Sequence, residues 1–97
     1  MPWYRARIRG ENFFMQFDEE VKRLGFFTNR FIEGSNSSEV EERAIAQIRD
    51  DPKLKNGLLN GVEDPPMIFV DEIVEVDADT VPEIRPGFAF FPAANDA

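Results

Sequence analysis

Apolar and polar residues alternate along the first seventeen positions of the chain, and the alternation changes phase near Gly10. A period of two is typical of a β-strand whose two faces meet different surroundings. Gly10-Glu11 fits a two-residue type II′ turn, because that turn needs a positive φ at its first central position. The pattern therefore predicts a β-hairpin that pairs Tyr4 with Phe17, Ile8 with Phe13 and Arg7 with Phe14.

The predicted hairpin separates its side chains into an apolar face and a basic face. Residues paired across two antiparallel strands lie on the same face of the sheet. The apolar face would hold Tyr4, Ala6, Ile8, Phe13, Met15 and Phe17, and the basic face Arg5, Arg7, Arg9, Asn12, Gln16 and, as the apolar exception, Phe14. A slip of one residue would destroy this separation. We expect the apolar face to pack against a helix.

Three further strands are predicted after a polar turn at residues 18–20. The first begins between residues 21 and 25 and ends near 33; it is rich in aromatic and β-branched residues. Because it carries apolar groups on both sides, we expect it to lie centrally in the sheet. Residues 67–76 and 88–91 form the other two predicted strands. Prolines flank the last one, which is typical of an edge strand.

One amphipathic helix is predicted in the middle of the chain. Ser38-x-x-Glu41 is a capping box that would begin the helix, and Asp51-Pro52 would end it after Asp50. Glu39 and Arg43 form an i,i+4 ion pair in the favoured order. The apolar stripe spans an arc of about 140° and consists of Val40, Ala44, Ile45 and Ile48. A stripe of this width can cover one face of a sheet.

The predicted order of elements is β-β-β-α-β-β, which indicates an α+β fold. Strand runs without alternating helices favour an antiparallel sheet of four or five strands with one main helix on one face. The segment from 25 to 49 resembles a unit of ferredoxin-like sheets, so a ferredoxin-like variant is one form of this fold. A chain of 97 residues without repeats predicts a single domain over 1–97, with residues from about 92 to 97 as a frayed tail.

The residue types present exclude several classes of chemistry. The chain contains no His and no Cys, which excludes Ser-His-Asp and Cys-His catalysis within one chain, disulfides and zinc sites of nitrogen and sulfur ligands. No glycine-rich phosphate-binding loop is present. The acidic residues between 71 and 79 lack the glycine and the spacing of a calcium loop, and we interpret them as a solvated or ion-paired strand. We therefore predict no cofactor, no metal and no enzymatic activity.

The net charge of the chain is −8 and is unevenly distributed, with +2 over residues 1–30 and −10 over residues 31–97. An acidic chain repels polyphosphates at long range, which disfavours nucleic acid as a partner. The first residues contain no apolar signal-peptide region, and no apolar run approaches the roughly 20 residues that span a bilayer. We therefore expect no membrane association and a cytoplasmic protein.

The basic face of the predicted hairpin is the candidate site for an anion or a partner. Arginines at every second position would project in one direction and could hold a phosphate or carboxylate, while neighbouring aromatic rings stack a base. The candidate residues are Trp3, Arg5, Arg7, Arg9 and Phe14. An alternative interpretation is that these arginines pair with Asp71 and Glu75 of a neighbouring strand or with acidic residues of a second subunit.

A single helix can cover only one face of the predicted sheet, although apolar residues are expected on both. Either the irregular segment 53–66 folds over the second face or another chain does. The leading hypothesis is a non-enzymatic interaction or assembly module, homodimeric through its sheet or bound to another protein. The alternatives are a domain that binds an anionic small molecule or single-stranded nucleic acid at the candidate residues, an enzyme that uses carboxylates or Lys, and an acidic decoy of a basic protein.

Overall fold

A computed structural model describes residues 1–17 and 19–92, apart from the side chain of Phe17, and shows one antiparallel sheet with one main helix. The predicted α+β class is confirmed. The elements are β1 (Trp3–Phe17), β2 (Glu20–Glu33), α1 (Ser37–Arg49), α2 (Pro52–Lys55), β3 (Met67–Val76) and β4 (Ala89–Pro92), with a short 3-10 turn at Ala78–Thr80 between the last two. The sheet has the order β3-β1-β2-β4. None of the helices in the described ranges has the length and apolar composition needed to cross a membrane.

The predicted hairpin at Gly10 is wrong, because residues 3–17 form one continuous strand. This strand pairs with β2 over its whole length, from Trp3 opposite Glu33 to Phe17 opposite Glu20. The chain therefore reverses between Phe17 and Glu20, and not at Gly10. The sheet has four strands, within the predicted four or five, because the two strands of the predicted hairpin are one strand. The strand predicted to follow the turn is confirmed as β2 and lies centrally, between β1 and β4.

A β-bulge in β1 explains why the apolar pattern resembles that of a hairpin. Gly10 is opposite Phe26 and Phe13 is opposite Leu24, so β1 contains one residue more than β2 in this interval. Asn12 in the bulge has a φ of 61°. An extra residue shifts the alternation of apolar residues by one position, as a two-residue turn does. Phe13 therefore lies on the same face as Ala6 and Ile8. The predicted apolar set is accordingly buried or packed against the core at Tyr4, Ala6, Ile8, Phe13 and Met15.

Gly10 is needed for close packing and not for a turn. Its φ is not positive, whereas a type II′ turn requires a positive φ there. A Cβ at this position would collide with the ring of Phe26, which lies directly over the Gly10 backbone and is fully buried. Phe26 in turn contacts the rings of Phe13 and Phe88 edge-on, with centroids 5.0 Å apart in both pairs.

Helix α1 covers one face of the sheet and contacts β1, β2 and β3. The predicted capping box is two residues too late, because Asn36 is the N-cap and its Oδ1 accepts a hydrogen bond of 2.9 Å from the Glu39 amide. The predicted end is one residue too late, because the helix ends at Arg49 and Asp50 is its C-cap. The predicted ion pair is confirmed, since Arg43 lies 3.0 Å from Glu39. The buried residues of its stripe are Val40, Ala44 and Ile48, and Ile45 is half-buried.

A buried ion pair joins the end of α1 to the sheet. The guanidinium of Arg30, on the helix side of β2, lies 3.2 Å from the carboxylate of Asp51, and both residues are buried. Arg30 also donates to Thr28 Oγ1 and to the Pro86 carbonyl at 3.0 and 2.8 Å, and burial lowers the pKa of its guanidinium. Asp51 Oδ1 caps α2 by accepting from the Lys53 amide. This network ties three segments together at one end of the core.

The segment between α2 and β3 extends the edge of β1 instead of covering the second face of the sheet. The Leu59 amide donates to the Phe14 carbonyl at 2.8 Å. Asn60 accepts from the Phe14 amide at 2.9 Å and donates to the carbonyls of Asn12 and Asp64 at 2.8 Å each. Of the two alternatives for covering the second face, these contacts do not support the one in which 53–66 folds over it. Of the tail predicted to fray, residue 92 ends β4 and residues 93–97 lie outside the described residues.

Candidate functional site

The open face of the sheet, which we define as the face opposite α1, brings the three arginines of β1 among side chains of both neighbouring strands. In the strand register, Arg5 lies between Phe31 and Val74, Arg7 between Asn29 and Glu72, and Arg9 between Phe27 and Phe69. Residues paired in this way share a face. The sequence-based prediction that Arg5, Arg7 and Arg9 project together is therefore in agreement with the register.

Two of the three arginines form ion pairs within the open face. Arg5 lies 2.6 Å from Glu72, and Arg9 lies 2.6 Å from Glu11 and 3.1 Å from Asp71. The alternative interpretation, in which these arginines pair with two carboxylates of a neighbouring strand, is thus correct for Asp71. It names the wrong second carboxylate, because Glu75 is opposite Tyr4, on the helix side.

The acidic residues on the open face differ from those predicted because β3 contains a bulge. Arg7 is opposite Glu72 and Ile8 is opposite Val70, so Asp71 is the extra residue of β3. A regular strand would direct Asp71 and Glu72 to opposite faces. The bulge instead allows both carboxylates to reach the arginines of β1.

The aromatic rings of the open face are partly covered by guanidinium groups. The Cζ of Arg9 lies 4.4 Å from the ring centroid of Phe69, and that of Arg7 lies 5.7 Å from the ring of Phe27. Such contacts contribute about 0.5–1 kcal/mol at exposed positions. The hydrogen bond from Arg9 to Asp71 also raises the pKa of the Arg9 guanidinium. Phe27 nevertheless remains 39% exposed, so stacking does not remove the apolar character of this face.

Arg7 differs from its two neighbours because it has no carboxylate partner among the described residues. Its guanidinium lies over the ring of Phe27, and its side chain is exposed. Together with Asn29 and Gly87 it lines a shallow depression of about 420 Å³. The Glu72 carboxylate at the same depression is already paired with Arg5. Arg7 is therefore the cation on this face that is available to a ligand or a partner.

The two aromatic residues predicted for the site lie at opposite ends of β1. Trp3 pairs with Glu33 and Val76 at the end where the chain between β3 and β4 crosses. Phe14 is opposite Arg23, whose guanidinium lies 4.6 Å from its ring. The prediction that Phe14 lies beside Arg7 is wrong, because it depended on the hairpin register.

The aromatic residues that accompany the arginines come from other strands. They are Phe27 and Phe31 of β2, Phe69 of β3 and, through its contact with Phe27 at 5.2 Å, Phe91 of β4. The sequence signal for the β2 part of the site is a spacing of two residues between Phe27, Asn29 and Phe31, which places them on one face of a strand. This spacing identifies them as neighbours of the arginines only when the pairing of β1 with β2 is known.

Among residues 1–17 and 19–92, no group of three or more acidic side chains is arranged to hold a metal ion. Scans of protein-family models, of curated proteins and of solved structures found nothing that matches this chain. The open face is therefore interpreted from its own geometry.

Proposed function

We propose that the protein is a non-enzymatic interaction module of the cytoplasm that assembles as a homodimer through the open face of its sheet. The observation that carries the proposal is a four-stranded sheet with a helix on one side only, whose other side presents aromatic residues among paired arginines and carboxylates. A dimer interface of standard size needs about 800 Å² from each partner. This is roughly an eighth of the 6500 Å² that the chain exposes, an area that one face of a sheet can supply.

The charges of the open face favour a second copy of the chain over a polyanion. Three arginines of β1 lie among three carboxylates, those of Glu11, Asp71 and Glu72. A polyanion would meet strong repulsion from these carboxylates, whereas a partner with both signs of charge would not. A second copy related by a twofold axis carries the same mixture, and twofold dimers are the commonest assemblies. Among the described residues, Arg7 is the arginine of β1 without a carboxylate of its own chain, so its guanidinium is accessible to a contact from the partner.

Light scattering coupled to size-exclusion chromatography tests this proposal between low and high micromolar concentration. We expect a mass approaching twice the 11.1 kDa of one chain as concentration rises. Arg7→Glu places a like charge beside Glu72 and should shift the mass towards that of a monomer. Lys53→Glu changes the net charge equally on α2, away from the open face, and should leave the mass unchanged.

Two results would count against the homodimer. A strict monomer at several hundred micromolar would contradict the homodimer. A dimer whose mass changes equally in Arg7→Glu and Lys53→Glu would contradict assembly through the open face. Circular dichroism of both variants is needed first, because loss of folding would also change the apparent mass.

A second candidate function, binding of an anionic small molecule, is favoured by the unpaired Arg7 at its depression. A guanidinium can hold a phosphate or carboxylate by two parallel hydrogen bonds, while the ring of Phe27 offers a surface for stacking. Titration with inorganic phosphate and with a nucleoside monophosphate, followed by amide NMR, should shift residues around Arg7 and Asn29 if this function is correct. Arg7→Gln should abolish the shifts without unfolding, and Lys53→Gln should not affect them.

The acidic-decoy hypothesis receives less support from the contacts on the sheet. A decoy needs carboxylates that are available to a basic partner, and Asp71 and Glu72 are already engaged by Arg9 and Arg5. We therefore place the decoy behind both candidates above.

A further inference from the structure

A second concave surface lies on the helix side of the sheet, away from the open face. The apolar groove, as we call it, runs between the end of α1, helix α2 and the start of β3, and has a volume of about 700 Å³. Small-molecule sites typically measure about 300–1,000 Å³. Its accessible apolar lining consists of Ile45, Leu58, Pro65, Pro66 and Ile68, and the buried side chains of Phe13, Ile48 and Leu54 lie beneath them.

Each wall of the apolar groove is held in place by its own hydrogen-bond network. On one side, the buried pair of Arg30 and Asp51 fixes the turn between α1 and α2. On the other side, Asn60 binds the strand edge at Phe14 and Asn12. Both networks are anchored to the same sheet, one at Arg30 of β2 and the other at Asn12 and Phe14 of β1, which fixes the positions of the two walls relative to each other. The site is therefore preformed, which lowers the cost of binding a ligand.

The polar residues that line the apolar groove carry a net positive charge. Arg49 ends α1 and Lys55 ends α2, and both line the groove together with the single carboxylate of Asp50. This local excess of positive charge is notable in a chain of net charge −8. An apolar cavity with basic residues among its lining is complementary to a molecule with an apolar tail and an anionic head.

We propose that the apolar groove binds an anionic amphiphile, namely a carboxylate with an unbranched acyl chain. The acyl chain lies against Ile45, Leu58 and Ile68, which are half-buried in the free protein, and the carboxylate lies near Arg49 and Lys55. This site is independent of the homodimer proposed above, because none of these residues belongs to the open face.

Decanoate is the probe that tests the proposal, and decanol is the matched probe without the charge. Methyl NMR of the full chain should show saturable shifts with decanoate, below its micellar concentration, at Ile45, Leu58 and Ile68. Decanol should bind more weakly, by about fivefold to tenfold, because it lacks two partly exposed charge contacts. Equal affinities for the two probes would overturn the proposed ligand class.

Two variants separate the tail from the head of the ligand. Ile45→Trp keeps a half-buried apolar residue on α1 but fills the groove, so decanoate shifts should disappear while the fold is retained. The double variant Arg49→Gln with Lys55→Gln should reduce decanoate affinity by about fivefold to tenfold and leave decanol affinity unchanged. Lys53→Gln removes a charge from α2 that does not line the groove and serves as the control.

Any of three results would overturn the proposal: no saturable shift with decanoate, shifts confined to the open face, or unchanged affinity in the double variant. The oligomeric state is measured separately by light scattering. Failure of the homodimer and failure of the groove site can therefore be distinguished.

Discussion

The buried ion pair between Arg30 and Asp51 should be a major source of stability, and Asp51→Ala tests it. Only 2% of the Arg30 side chain and 10% of the Asp51 side chain are exposed. Truncation of Asp51 would leave the Arg30 guanidinium buried without a counter-charge. It would also remove the hydrogen bond that caps α2 at the Lys53 amide.

The expected loss is large compared with the stability of a domain of this size. Breaking a buried ion pair by removing one partner costs about 3–5 kcal/mol, and a lost cap costs about 0.5–2 kcal/mol. A chain of this length has a total stability of about 5–15 kcal/mol. Arg30 keeps three other hydrogen bonds in the variant, to Thr28, Asn29 and Pro86. We therefore expect the loss in free energy of unfolding to lie near the lower end of this range, at about 3 kcal/mol.

Urea denaturation followed by circular dichroism measures this loss. A destabilisation of about 3 kcal/mol lowers the midpoint by roughly 1–3 M for a typical dependence on urea. Asp50→Ala is the control, because Asp50 is exposed and adjacent; it should change stability by less than about 0.5 kcal/mol. If Asp51→Ala does not fold, the double variant with Arg30→Met should fold better than the single one, because no buried charge remains unpaired.

A change of less than about 1 kcal/mol in Asp51→Ala would refute this reasoning. It would mean that the carbonyl and hydroxyl partners of Arg30 are sufficient to compensate for its burial. The sheet would then not depend on the end of α1 for its stability.

Two further predictions concern Gly10 and Glu39. Gly10→Ala should destabilise the fold by about 1–3 kcal/mol, because the added Cβ collides with the ring of Phe26. Gly87→Ala is the control and should be nearly neutral, because a Cβ at position 87 has no atom within 4 Å. Equal urea midpoints for the two variants would contradict the close packing at Gly10. The hydrogen bond from Ser35 holds the pKa of Glu39 below its usual 4.5. The ionised Glu39 carboxylate therefore stabilises the fold at neutral pH, and this stabilisation is lost as pH falls through the lowered pKa. In Ser35→Ala, NMR titration should find the Glu39 pKa closer to 4.5; an unchanged value would contradict the assigned cause.

Periodicity predicts the helix, and composition predicts three of the strands, because each of these segments carries its signal locally. The β3 strand has the bounds that its composition indicates, and the apolar stripe of α1 faces the sheet as expected. The first strand was divided wrongly because a bulge and a two-residue turn shift the alternation by the same amount. What decides between them is the close contact of Gly10 with Phe26, sixteen positions away in the chain, which no local pattern encodes.

The candidate site was predicted in part, for a related reason. The arginines of β1 all precede Gly10 and share a face whether the strand is continuous or folded back. Alternation alone therefore predicts that they project in the same direction. Their partners depend on pairing with two other strands and on the bulge at Asp71. Arg30 was missed because β2 has aromatic residues on both sides, so alternation alone could not indicate which face is buried.

Intermolecular NOEs test the central claim, assembly through the open face, most directly. An equimolar mixture of isotope-labelled and unlabelled chains, at a concentration where light scattering shows the dimer, provides the sample. We predict NOEs between chains at the side chains of Phe27, Phe31 and Phe69. Absence of such NOEs, or NOEs confined to helix α1, would contradict assembly through this face of the sheet.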